Sequence, residues 1–476
     1  MATSENLSHH YHQPKSVEQY GIEPIPARLK TVKWYDLFLL VTNFMINPAT
    51  ILIAGLAVSA GLSFWAALTA ESAGVLLAFL PYITMATIGV DYGLPGQVAT
   101  RMVFGMRGAK WMPSLLRAIA STYWFAVQTI VGATVIANVL DRWRGGSHSV
   151  VITGLFFAVI QVCFALIGYD WLRWLSRISF PVKILGLIYL FFLIAHNPDP
   201  HFAPHTVFHY HSSHGWQWLV FATFLNSMAA AWTTMITDAA DFCRYSRTRK
   251  DMWWGTILAA VCATFFAGFL GAYASAATLG RQPNPFEVIT EIDARAFTLI
   301  VILLVIVLDN WTINVLNLYT GGLSLTNAFE KIGRFWTTLF VGVVGSICSA
   351  LPLLLNRLVG FTTVLGNVFA PIAGVLLVHY VVLQRMRIDV PGLFCSDGPY
   401  RYWKGNNWVA ILWSLAGIGI YYALPVAVLQ TISTIILTGA GYGATVAILV
   451  RISPQSRLLF PSQNVLPEAA SAQTIL

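Results

Sequence analysis

The sequence predicts an all-α integral membrane protein of about twelve transmembrane helices, and three observations carry that prediction. Of 476 residues, 57% are hydrophobic and only 10% charged, with a mean hydropathy of +0.67, a composition from which a water-facing surface cannot be built. Apolar runs of bilayer length recur along the chain, and none shows the period-two alternation of a barrel strand, so their backbone groups must be satisfied inside helices. Lys and Arg are dense in every second segment between the runs and sparse in the others.

In order, the runs fall near 34–60, 62–90, 113–140, 148–169, 176–195, 216–240, 252–279, 296–327, 335–355, 361–383, 406–426 and 428–450. Residues 1–33 are polar and lack the apolar core of a signal peptide, so they read as a cytoplasmic tail and the first span directs insertion. With the N-terminus inside, 23 of the 28 basic residues are assigned to the cytoplasmic side, counting Arg117, Arg177 and Lys183 with the cytoplasmic ends of their spans. Only Arg142, Arg144, Arg281, Arg295 and Arg357 fall outside. Both termini are therefore expected in the cytoplasm, with 34–450 embedded in the inner (plasma) membrane and 451–476 as a second tail. The net charge of +8 then belongs to the inner face, and the lipid bilayer, not nucleic acid, is the partner it implies.

Cys163, Cys243, Cys262, Cys348 and Cys395 form no CxxC pair and read as packing residues. The outer loop from His196 to Gly215 holds six of the eleven histidines. It lacks cysteine and fixed spacing, so it reads as an exposed polar loop and no metal site is predicted.

Polar side chains inside a bilayer are expensive, and four spans carry them. In the first, Asn47 and Pro48 interrupt an apolar helix; Pro48 removes a backbone donor and predicts a break whose free carbonyls can hold an ion or a small polar ligand. In the third, Trp124 and Gln128 stand one turn apart on one face, an aromatic plane beside an amide, which suits a flat heterocycle. In the sixth, the small residues Ala229 to Ala231 precede Trp232, but no Gly or Pro marks a second break. Asp238, Asp241 and Arg244 follow, as a gate or a structural ion cluster. The eighth places Asp309 near its middle, with Thr312 on the same face and Asn310, Asn314 and Asn317 on the neighbouring one. A carboxylate at that depth is the leading candidate to bind a coupling cation.

Taken together these segments resemble the nucleobase:cation symporter family, the cytosine, purine, hydantoin and allantoin permeases. The likeness runs from Trp34 to Val450 and rests on GLS at Gly61 to Ser63, the Arg101 to Ala118 stretch, YWFAVQ in the third span and ADFCRY from Ala240. To these are added NWTINVLNLYTGGLSLTN from Asn310 and the run beginning at Pro371. The resemblance implies a core of two inverted five-helix repeats, about 34–195 and 216–383, followed by two extra helices over 406–450. It implies import of a nucleobase of purine or cytosine type, or a related planar heterocycle, together with a cation by alternating access.

The family's sandwiching aromatics match Trp124 and Trp232, and its amide matches Gln128. Ser121, Ala231 and Asn314 complete the implied substrate site. Ser121 stands where the cytosine permeases carry glutamine. Sodium-driven members have two adjacent hydroxyl residues where this chain has Thr312 and Ile313, and Asp309 replaces a neutral amide. These changes favour H+ over Na+, with Asp309, Thr312 and Asn47 as coupling residues and no other cofactor. A permease for hydantoin, allantoin or a vitamin-like ring, with Na+ coupling, is the alternative. A membrane-embedded enzyme or receptor is remote, because no HExxH or Ser–His constellation lies at depth.

Overall fold

Twelve apolar helical stretches are present in a computed structural model that describes residues 20–167, 169–212, 216–395 and 397–452. His214 and most of both tails lie outside these residues. The spans comprise α1 (Trp34–Met45) with α2 (Pro48–Ser59), α3 (Phe64–Tyr92), α4 (Leu115–Arg144), α5 (Val150–Ala165), α6 (Tyr169–Ala195) and α7 (Trp218–Thr233) continued by α8 (Ala239–Cys243). They continue with α9 (Arg249–Ala277), then a short outer helix α10 (Pro285–Ile292), α11 (Ala296–Ala328), α12 (Arg334–Ser349), α13 (Leu358–Leu377), α14 (Trp408–Ala423) and α15 (Gln430–Ile452). Eight stretches are long and apolar enough to cross a bilayer, α1 with α2 makes a ninth bent by 54°, and α5, α12 and α14 are shorter apolar helices.

Local chemistry sets the ends. Ser63, Ser149, Thr248, Asn284 and Asn407 each turn a side-chain oxygen onto a free N–H at the start of α3, α5, α9, α10 and α14. Gly93 closes α3 at φ 69°, a left-handed conformation that costs glycine little.

The helices form two packed groups. In one, α9 packs on α1, α2 and α3, and α3 packs on α7; in the other, α11 packs on α4, α6 and α12. Close approach needs small residues: a Cβ at Gly271 of α9 would meet the Ile51 carbonyl of α2 at 1.9 Å. The last helices, α13 to α15, pack on one another, with α13 also against α7.

Two departures from expectation matter. The sixth span breaks after all: Thr234–Thr237 tighten into a 3-10 turn and Asp238 leaves helical geometry at φ −126° before α8 begins. Lys183 and Arg117, counted above among cytoplasmic charges, are instead buried within the helix bundle, each about 1% exposed.

Candidate functional site

The first break is built by Asn47. Its Nδ2 donates to the carbonyls of Phe44 and Met45 at 3.0 and 3.2 Å, two acceptors freed by the loss of helix. Its Oδ1 must then face donors, and it accepts from Thr50 N at 3.0 Å, capping α2, and from Gln128 Nε2 at 2.8 Å. The Gln128 amide is thereby oriented, and its Oε1 is buried with no partner.

Gln128 lines a cavity with about 510 Å³ of space free of protein atoms, counting its open side, between α1–α2, α4, α7 and α11. Trp124, Gln128, Ala231 and Trp232, named above for the substrate site, line it, and so does Asn47, named above as a coupling residue. Trp232 is backed by Phe44 and Phe79, whose rings stand 6.1 and 5.9 Å from it. Asn317 lines the cavity where Asn314 was expected. Asn314 instead points away, its Nδ2 at 2.6 Å from Gln161 Oε1 and 2.9 Å from Thr129 Oγ1, while Asn317 donates to its Oδ1 at 3.3 Å. Ser121 is likewise off the cavity wall, 3.2 Å from Thr320 Oγ1.

Asp309 does not reach the cavity. It lies on the other side of the first break, in contact with Lys183 of α6, which sequence reasoning missed. Lys183 Nζ donates to Asp309 Oδ1 at 2.6 Å, to the Asn43 carbonyl at 2.7 Å and to the Ile46 carbonyl at 3.3 Å, with Thr312 Oγ1 at 3.4 Å. Four oxygens around one ammonium, two of them break carbonyls, is the environment of a bound cation. Asp309, Thr312 and the break thus come together, and the charge among them is the protein's own.

Beneath the cavity sits a second buried pair. Arg117 Nη2 lies 2.9 Å from Asp238 Oδ2, and Arg117 also donates to the Thr234 carbonyl and hydroxyl, both at 3.2 Å, and to Thr320 at 3.3 Å. Asp238 is therefore paired across to α4. Asp241 accepts from Gly96 N at 2.7 Å, and Arg244 holds the carbonyls of Tyr20 and Gly21 and the Tyr319 hydroxyl. Arg117 ties three spans together and walls off one end of the cavity. Such a site can bind, orient and enclose a planar ligand. Among the described residues no group of three or more His, Cys, Asp or Glu side chains could hold a metal.

A family profile described as permease for cytosine/purines, uracil, thiamine, allantoin matches residues 24–453. The chain is 25% identical to the hydantoin permease of Microbacterium maritypicum, over 80% of this chain and 79% of that protein. It is also 25% identical to a purine-uracil permease of Arabidopsis thaliana, over 88% and 74%. In three dimensions it is similar to Mhp1, a nucleobase-cation-symport-1 family transporter in a closed conformation with bromovinylhydantoin bound. The TM-score is 0.78 at 22% identity, covering 92% of this chain and 98% of that one, a likeness of fold.

Proposed function

The chain belongs to the family of permeases for cytosine and purines, uracil, thiamine and allantoin, and from that premise we propose that it imports a planar N–H heterocycle, a nucleobase or close relative, together with a proton. Its relatives are permeases, and the chain is a multi-pass membrane transporter, not an enzyme. The observation that carries the reading is the meeting of Trp124, Trp232 and Gln128, its Oε1 unpartnered, in one cavity. A flat ring stacks on the indoles, and because the Gln128 amide nitrogen is held by Asn47, its oxygen is left to accept a ring or exocyclic N–H. Stacking of this kind is worth about 1–3 kcal/mol per base.

The Lys183–Asp309 pair supports proton coupling. A sodium ion between the break and α11 would need the same carbonyls that the ammonium occupies, and Asp309 keeps Oδ2 free of partners. In this reading a proton bound to the pair keeps the ammonium clamped on Asn43 and Ile46; its loss weakens the clamp and frees the first span to move against α6 and α11. Substrate and proton act on one break, since Gln128 is bonded to Asn47 and Lys183 to the residue before it. The excess of basic residues on one face supports a cytoplasmic position for both termini, and uptake is the direction this reading takes.

Uptake of radiolabelled cytosine, adenine, uracil, hydantoin and allantoin by cells expressing the chain tests this. One compound taken up, lost on adding a protonophore and kept on removing sodium, is the expected result. Uptake of none, or uptake that requires sodium, overturns the reading.

A further inference from the structure

A second cavity lies apart from the first, between α3, α9 and the turns that continue α13. It holds about 1060 Å³ of space free of protein atoms, counting its open side, and is walled by Ile83, Thr84, Met252, Trp253, Val381 and Val382. Trp253 and Val382 are 45% and 62% exposed, so the groove opens on the outside of the bundle, between helices of spanning length. Its walls belong to the last turns of α3 and the first of α9, at the face that carries the chain's excess of Lys and Arg.

The rim at that face is cationic. Arg249 lines the groove; its Nε and Nη2 grip Asp91 at 2.5–3.1 Å, yet the side chain is half exposed and Nη1 has no hydrogen-bond partner among the described residues. Arg387, exposed, directly follows Met386, which lines the groove. The loop carrying it is pinned there, because Tyr92 OH donates to the Met386 carbonyl at 3.0 Å and accepts from Ile388 N at 3.2 Å. Lys30 adds a third cation, its Nζ on the Val90 and Asp91 carbonyls. Asp91 pairs with Arg249 beside Lys30, and Asp389 follows Arg387 by two residues.

Apolar walls alone would select nothing, since a lipid tail is as well solvated by the bilayer as by Val and Ile. The selectivity has to come from the rim. We propose that the groove holds an anionic phospholipid of the cytoplasmic leaflet, one acyl chain lying between α3 and the end of α13 and the phosphate over Arg249 and Arg387. The leaflet follows from the orientation proposed above; the site itself does not depend on what the first cavity transports. Each basic residue near a membrane surface strengthens anionic-lipid binding roughly fivefold.

The test is native mass spectrometry of the full chain, purified from vesicles of equal parts phosphatidylglycerol and phosphatidylcholine. Wild type is expected to retain phosphatidylglycerol at least about tenfold over phosphatidylcholine. Arg249→Gln with Arg387→Gln should remove that preference, Val381→Trp should displace the lipid by filling the groove, and Arg401→Gln, at a separate salt bridge with Asp397, should change nothing. Equal retention of the two lipids by wild type, or a preference that survives the paired arginine change, overturns the proposal. Loss of preference in the arginine variant with retention unaltered by Val381→Trp overturns the groove as the acyl site. Lipid retention is read without transport, so failure here is separate from failure of the transport reading.

Discussion

Two breaks, in the first and sixth spans, stand five helices apart, and each has a cation from a neighbouring helix on its freed carbonyls. At the first break the cation is Lys183, bonded to the Asn43 and Ile46 carbonyls and paired with Asp309. At the second it is Arg117, bonded to the Thr234 carbonyl and paired with Asp238. The geometry is similar and the chemistry is not. A lysine ammonium is a compact charge that can give up its proton, whereas a guanidinium keeps its charge and spreads its donors over several acceptors. The first pair is therefore suited to load and release, the second to lock: Arg117 joins α4 to the sixth break and to Thr320 of α11 under the cavity.

The sharpest way to break this comparison is to remove each cation. Lys183→Met leaves Asp309 buried without its partner, a change expected to cost about 3–5 kcal/mol in stability and to abolish uphill accumulation. Adding Asp309→Asn should restore the thermal midpoint without restoring accumulation. Arg117→Gln strands Asp238 in the same way, but its signature should be leakiness. Thiol labelling from the cytoplasmic side of a Thr234→Cys reporter should speed up several-fold, and the remaining uptake should keep its proton dependence. If Lys183→Met instead raises labelling and Arg117→Gln uncouples, the roles are reversed.

Smaller effects sharpen the cavity between the breaks. Trp124→Ala should weaken substrate affinity by about 1–3 kcal/mol, roughly five- to 150-fold, read as a rise in KM or in competition constants. Ser121→Ala removes only a bond to Thr320 away from the cavity. It should shift stability by about 1 kcal/mol while leaving affinity within about twofold.

How much of this the sequence could reveal follows from which signals are local. The span count was legible because a bilayer imposes one length on every apolar run, and the first break because Pro48 cannot donate the bond that a continuous helix requires. The second break has no such residue. It is held open by contacts from elsewhere in the chain, with Arg117 taking the Thr234 carbonyl, and nothing in the run AAAWTTMITDAAD announces that.

Lys183 was misassigned through a boundary. A span starting at 176 puts it near the membrane surface. The helix starts at Tyr169, so Lys183 lies fourteen residues along it, about 21 Å from its first residue at 1.5 Å per residue. A charge inside an apolar run was the available signal. Asp309 stood out as a candidate for that reason, though its partner did not. Among the asparagines of α11, helical spacing placed Asn314 and Asn317 on one face, but which of them reaches the cavity depends on Gln161 and Thr129 capturing Asn314.

The central claim is that the protein's own lysine fills the cation position at the first break and that a proton, not sodium, drives uptake. It is tested most directly in proteoliposomes loaded without sodium, by imposing a pH gradient, acidic outside, and measuring accumulation of the transported heterocycle by wild type and Lys183→Met. Accumulation above equilibrium in wild type, falling to simple equilibration in the variant, is the predicted result. Accumulation that needs a sodium gradient, or that Lys183→Met still supports under the pH gradient alone, would contradict it.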